Sequence, residues 1–169
     1  MILSSVLNPK VIFNFNKSSS ILNWIIVDDI VMGGLSSSLF RINTAGNGVF
    51  EGNISLDNNG GFSSVRYQAQ RTLIKEYTKV IIKLKGDGKN YQFRIRTNAE
   101  DNHSFITPFT TTGEWQEIEF PLKDMYPSFR GRKLDQPNFA DEYFEAITFL
   151  IGNKKEEHFK LMVDNIELS

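Results

Sequence analysis

An all-β fold, an antiparallel β-sandwich or jelly roll, is what this sequence predicts, and three observations predict it. Apolar and polar residues alternate over short runs. Glycine and asparagine interrupt those runs every few residues, with 12 Gly along the chain. The composition leans on Phe (14 residues), Ile, Val and Thr, which suit a pleated, half-buried surface. No segment is long enough to supply the crossover helices that parallel strands need, so α/β classes fall away.

The runs of strand length are Val11–Phe15, Leu39–Ile42, Val49–Leu56, Phe62–Gln68, Val80–Lys85, Tyr91–Arg96, Ser104–Thr110, Glu114–Phe120, Ala146–Ile151 and Phe159–Leu168. Val80, Ile82 and Leu84 alternate with Ile81, Lys83 and Lys85, and Tyr91, Phe93 and Ile95 with Gln92, Arg94 and Arg96. Gly86-Asp87-Gly88-Lys89-Asn90 lies between them, a pattern that predicts a β-hairpin. Helical signal is confined to Asp141–Ala146, about one turn with acidic residues at its start. Pro121–Ala140 is long, non-periodic and Pro-containing, and reads as a functional or mobile loop.

Composition bounds the rest. The 169 residues suit one domain spanning 1–169, large enough to bury a core without a disulfide or metal staple. With no Cys, thiol nucleophiles, thiolate metal sites and disulfides are excluded together. A net charge of -1 supplies no attraction for nucleic acid or anionic lipid. Met1–Lys10 lacks the basic start of a secretory signal, and no apolar run approaches a membrane span. The expected location is the cytoplasm.

Four segments could carry chemistry. Trp24–Ser36 joins an apolar run, Asp28-Asp29 and Gly33-Gly34. In an extended chain the two acids point to opposite faces and make no acid/base dyad. One of them either accepts backbone N–H bonds in a tight turn or meets a ligand. In Leu56–Arg66, Asn58-Asn59-Gly60-Gly61 is a turn, and Phe62 and Arg66 share a face. That arginine either stacks on an aromatic or grips a carboxylate, or else pairs across strands. Gly86–Tyr91 lacks the last glycine and the helix of a dinucleotide loop, so the nucleotide reading fails. Arg94 and Arg96 share one polar strand face, and Arg130 and Arg132 lie in the long loop. If the loop folds over that face, four guanidinium groups converge on an anionic ligand or acidic protein patch. The alternative is a solvated face balanced by Glu117 and Glu119.

Catalytic options are poor. His103 and His158 lack partners at zinc spacing, and no Gly-x-Ser-x-Gly elbow is present. A carboxylate pair for glycoside hydrolysis would be set by the fold rather than by spacing. Asp28, Asp57 and Asp164 are the weak candidates for a structural calcium. Neither cofactor nor metal is expected.

Several blocks together carry a resemblance. They are Trp24, Asp29, Val31-Met32-Gly33-Gly34-Leu35-Ser36, Phe50-x-Gly52, Leu56-x-Asn58-Asn59-Gly60-Gly61-Phe62-x-Ser64-Val65-Arg66 and Gly86-Asp87-Gly88-Lys89-x-Tyr91. Trp115-Gln116, Ile118-x-Phe120-Pro121, Phe129-Arg130-Gly131-Arg132 and Phe159-x-Leu161-x-Val163-Asp164-x-Ile166 continue it. In this order, over roughly 10–168, they resemble the complex I intermediate-associated protein 30 family, in a short bacterial-type form. Asp28 stands where that pattern often has Asn. The resemblance implies a galactose-binding-like jelly roll and a non-enzymatic assembly-factor or chaperone role toward NADH:ubiquinone oxidoreductase. It makes a protein, such as a respiratory-complex subunit or intermediate, the expected partner. Carbohydrate is the alternative ligand, with Trp24, Tyr91 and Trp115 as rings to stack on a sugar. The candidate contact residues are Trp24, Asp29, Asn58, Phe62, Arg66, Tyr91, Arg94, Arg130 and Arg132.

Overall fold

The computed structural model describes residues 7–169. Most of the N-terminal stretch read above for a secretory signal lies outside the described residues. Among the described residues thirteen strands build two antiparallel sheets packed face to face. In chain order they are β1 Lys10–Asn14, β2 Trp24–Ile26, β3 Ser37–Ile42, β4 Gly48–Ile54, β5 Ser63–Leu73, β6 Lys79–Lys85 and β7 Asn90–Arg96. β8 Ser104–Thr110, β9 Trp115–Pro121, β10 Tyr126–Phe129, β11 Arg132–Lys133, β12 Tyr143–Ile151 and β13 Glu157–Leu168 complete the set. One sheet has the order β3-β4-β13-β6-β9, with β1 also pairing β13; the other runs β11-β10-β8-β7-β12-β5-β2. Among the described residues no helix is long and apolar enough to cross a membrane.

Period-2 alternation decides which side chains meet between the sheets. Val80, Ile82 and Leu84 of β6 and Phe93 and Ile95 of β7 are fully buried. Two bulges shift that parity. In β13, Phe159, Leu161 and Val163 point inward, and the irregularity between Val163 and Asn165 hands the core over to Ile166 and Leu168. In β12, the irregularity between Phe144 and Ala146 switches burial from Phe144 to Ile147, Phe149 and Ile151. A bulge keeps each strand paired while moving its apolar side chains to the other parity.

Three expectations need correcting. Asp141–Ala146 contains no helical turn: β12 begins at Tyr143, and the bulge around Glu145 broke the alternation that identifies a strand. The loop Pro121–Ala140 contains β10, β11 and a 3-10 turn at Leu122–Asp124. Arg130-Gly131 is the tight turn of that small hairpin, with φ of 51° and 76°, as such two-residue hairpins require. The runs 80–85 and 91–96 form no hairpin. β6 pairs β13 and β9, whereas β7 pairs β8 and β12. Gly86–Lys89 carries the chain from one sheet to the other, and a Cβ on Gly86 would collide with Thr111.

Candidate functional site

Burial removes two of the three rings expected to face a sugar. Trp24 is 6% exposed and Tyr91 1%. Trp24 lies between Tyr67 and Phe40, both nearly parallel to it with centroids 4.9 Å away, and Phe13 and Phe15 close the cluster from the side. It joins the two sheets. The Tyr91 hydroxyl donates to Asp87 Oδ1 at 2.8 Å, while Asp87 Oδ2 accepts the Lys160 backbone N–H at 2.8 Å. Burial, reinforced by the Asp87 charge, pushes the Tyr91 phenol far above its ordinary range. Trp115 is 40% exposed, on the six-stranded sheet beside Lys83.

Asp29 is also an internal residue, 1% exposed. Its carboxylate accepts the Ser36 N–H at 3.0 Å and hydroxyl at 2.6 Å, and the Gly61 and Phe62 N–H groups at 2.6 and 3.3 Å. One buried anion thus ties the loop after β2 to the turn before β5. Of the two readings above, the turn-binding one describes it. Burial alone would raise the Asp29 pKa, but the bonds from Ser36, Gly61 and Phe62 outweigh it and hold the carboxyl below its ordinary value. Both Gly-Gly pairs meet on this group. A Cβ on Gly34 would collide with the carboxylate, and one on Gly60 would stand 2.5 Å from Oδ2. Asp28 points away and accepts the Ser38 hydroxyl at 2.7 Å. Asn58 sits exposed in the Asp57–Asn59 turn at φ 57°. Among the described residues no group of three His, Cys, Asp or Glu is placed to hold a metal.

The outer face of the seven-stranded sheet carries the charge. Opposite Thr148 on central β12 stand Arg66 of β5 on one side and Arg94 of β7 on the other; Arg96 stands opposite Ala146. The face continues to Ile25 beside Arg66 and to Ile106 beside Arg94. Arg94 Nε and Nη2 both donate to Gln92 Oε1, at 2.9 and 2.6 Å. Arg96 Nε donates to the Ser104 hydroxyl at 3.1 Å. Arg66 Nε is buried without a hydrogen-bond partner among the described residues. Among the described residues none of the three arginines forms an ion pair, and none stacks on a ring.

The expected counter-ions are elsewhere. Glu117 and Glu119 are on β9 of the other sheet, opposite Lys83 and Ile81. That corrects the balanced-face reading, because alternation alone does not show which sheet a strand joins. Burial, then the neighbouring Arg96, lowers the Arg94 pKa to about 10. Burial and Arg66 lower that of Arg96, partly offset by Asp101. Arg130 and Arg132 are exposed at the β10–β11 tip, Arg130 over the Phe129 ring at 5.2 Å. They sit at the far edge of the sheet, outside the Arg66–Arg94–Arg96 row. Arg96 is the member that the candidate list missed, although its parity with Arg94 was the signal for it.

Crowded, unpaired cations cost stability. Arg94→Met removes one and keeps the apolar stem, so it is expected to stabilise the fold by about 1 kcal/mol. A raised thermal midpoint would show it.

Residues 13–163 match the family model "Complex I intermediate-associated protein 30 (CIA30)". The chain belongs to this family. No curated protein matches the CIA30 chain significantly by sequence. Among solved structures it is similar to a family 11 carbohydrate-binding module from Clostridium thermocellum in complex with a β-1,3-1,4-mixed-linked tetrasaccharide. Identity is 19%, coverage 97% of this chain and 96% of that one, and TM-score 0.73. The family 11 module of the C. thermocellum cellulosomal cellulase Lic26A-Cel5E gives 20%, 97% and 95%, and 0.73. An exo-β-agarase gives 10% identity over 95% of this chain and 24% of that one, with TM-score 0.61. At such identities the likeness establishes the fold alone, a β-sandwich of the carbohydrate-binding-module type.

Proposed function

We propose that this CIA30-family protein is a non-enzymatic binding module of the complex I assembly-factor type. It acts in the cytoplasm by docking a protein partner on the outer face of its seven-stranded sheet. The observation that carries this reading is the set of three guanidinium groups on that face, none of which forms an ion pair among the described residues. Their spacing is maintained by the strand register, and crowding them costs stability that no ion pair among the described residues offsets. A docking face that waits for an acidic partner explains both. The half-exposed Ile25 beside Arg66 adds apolar area, and the loop pinned by Asp29 exposes Ile30, Met32 and Leu35 just beyond the end of β2. In this reading Phe62, Asn58, Arg130 and Arg132 border the contact. Trp24, Asp29 and Tyr91 shape it from within.

Affinity purification of the tagged protein from its native host tests this. A respiratory-complex subunit or intermediate should co-purify, and Arg66→Gln should lose it. Equal recovery by wild type and Arg66→Gln would count against the docking face. The second reading, carbohydrate binding, draws on the likeness to a module solved with a tetrasaccharide. A glycan array and thermal shifts with mixed-linked glucan oligomers address it: the docking reading expects no hits.

A further inference from the structure

We infer that Arg66, Arg94 and Arg96 form a carboxylate-binding subsite that takes the side chain of a single Asp or Glu from the partner protein. The inference deepens the reading above and rests on it. Its floor is the outward side of β12. Ala146 and Thr148 are 0% and 8% exposed, yet both point away from the core, so the longer stems around them lie over them. Small residues on the central strand and arginines on both neighbouring strands make a shallow seat with a cationic rim. Adjacent strands lie ~4.8 Å apart, so Arg66 and Arg94, flanking Thr148, can reach one bound group from opposite sides.

The donors are already oriented. Gln92 fixes the plane of the Arg94 guanidinium by taking two of its N–H groups, and Ser104 holds Arg96 through Nε. The guanidinium of Arg66 makes no hydrogen bond among the described residues, and its buried Nε needs an acceptor. A carboxylate is acceptor-only, with about four lone-pair positions, and matches the planar fork of arginine. The acids that border the site are engaged elsewhere. Asp101 accepts the Asn98 backbone and side-chain N–H groups, and Glu145 accepts the Ala99 N–H and pairs with Arg71.

Protein is the source that fits this carboxylate. A chain of net charge -1 has no broad positive field to gather a polyanion. A uronic acid would need an open ring platform, but Trp24 and Tyr91 are buried, Trp115 is on the other sheet, and Tyr126, across Ile106 from Arg94, is half-buried with Lys133 5.4 Å from its ring.

The test is NMR of the arginine Nε–Hε signals during titration at low salt with hexaglutamate, hexaglutamine, sodium phosphate and a galacturonate oligomer. Hexaglutamate should shift the Arg66 and Arg96 signals, hexaglutamine should not, and added salt should weaken the effect. Arg66→Gln should weaken hexaglutamate binding at least about tenfold. Arg94→Lys, which keeps the charge but not the fork, should weaken it less, and Arg41→Gln on the other sheet should leave it unchanged. Thermal midpoints confirm that each variant is folded. Equal response to both peptides, or none to either, overturns the inference; tighter binding of phosphate or galacturonate overturns the assignment to protein. If hexaglutamate fails but a partner still crosslinks to this face, the subsite falls while the docking reading stands. Hexaglutamate binding with no partner found at the face gives the reverse.

Discussion

Asp29→Ala is expected to destabilise the fold by about 4 kcal/mol, because it leaves buried donors without an acceptor and each costs ~1–3 kcal/mol. The donors are the Ser36 N–H and hydroxyl and the Gly61 and Phe62 N–H groups. Asparagine does not rescue them, since its amide nitrogen would face N–H groups that need a lone pair. For a domain of this size the loss corresponds to a drop of roughly 10 °C in thermal midpoint, at ~2–4 °C per kcal/mol. The pH dependence has a definite sign. The folded carboxyl titrates below its ordinary value, so its contribution is complete above the unfolded pKa and is lost as pH falls through the lower, folded one. Wild type should therefore lose stability on acidification into that window, and Asp29→Ala should show a shallower acid limb. Denaturant melts from neutral pH downward measure both, and parallel acid limbs would contradict the account.

Trp24→Ala should cost a similar amount, about 4 kcal/mol, through a cavity where the two sheets meet. The indole touches Phe13 of β1, Phe15 just after it, Phe40 of β3 and Tyr67 of β5, so its loss loosens both layers. Trp24→Phe keeps stacking with Tyr67 and Phe40 and removes Nε1, which is buried without an acceptor. It should cost less than half as much. Chemical denaturation of the two variants separates ring from volume; equal losses would mean that the indole edge, not the stack, matters.

Much of the architecture was legible because alternation survives in single strands. Val80–Lys85 and Tyr91–Arg96 were recognisable as strands from their own residues. Their partners were not, since a strand that faces the core from either sheet shows the same period, and Gly86–Lys89 is as good a crossover as a turn. Bulges hid the start of β12, where Glu145 shifts the register. Short, Pro-interrupted strands such as β10, Tyr-Pro-Ser-Phe, show too little period to find. The site was half legible. Arg94 and Arg96 sharing a face follows from spacing alone. Arg66 joining them does not, because β12, which brings β5 and β7 together, comes some fifty residues after the later of the two strands in the sequence. One glycine of each Gly-Gly pair, Gly34 and Gly60, crowds a single carboxylate, which only the folded chain brings together.

The central claim is that partners meet the outer face of the seven-stranded sheet. A photocrosslinking residue at Gln68 or Pro108, exposed positions on that face, can be compared with one at Leu39 on the outer face of the other sheet. Irradiated in cells of the native host, the first two should trap a common protein, one that disappears with Arg66→Gln, and the third should not. The same protein trapped through Leu39, and untouched by the arginine change, would contradict the account.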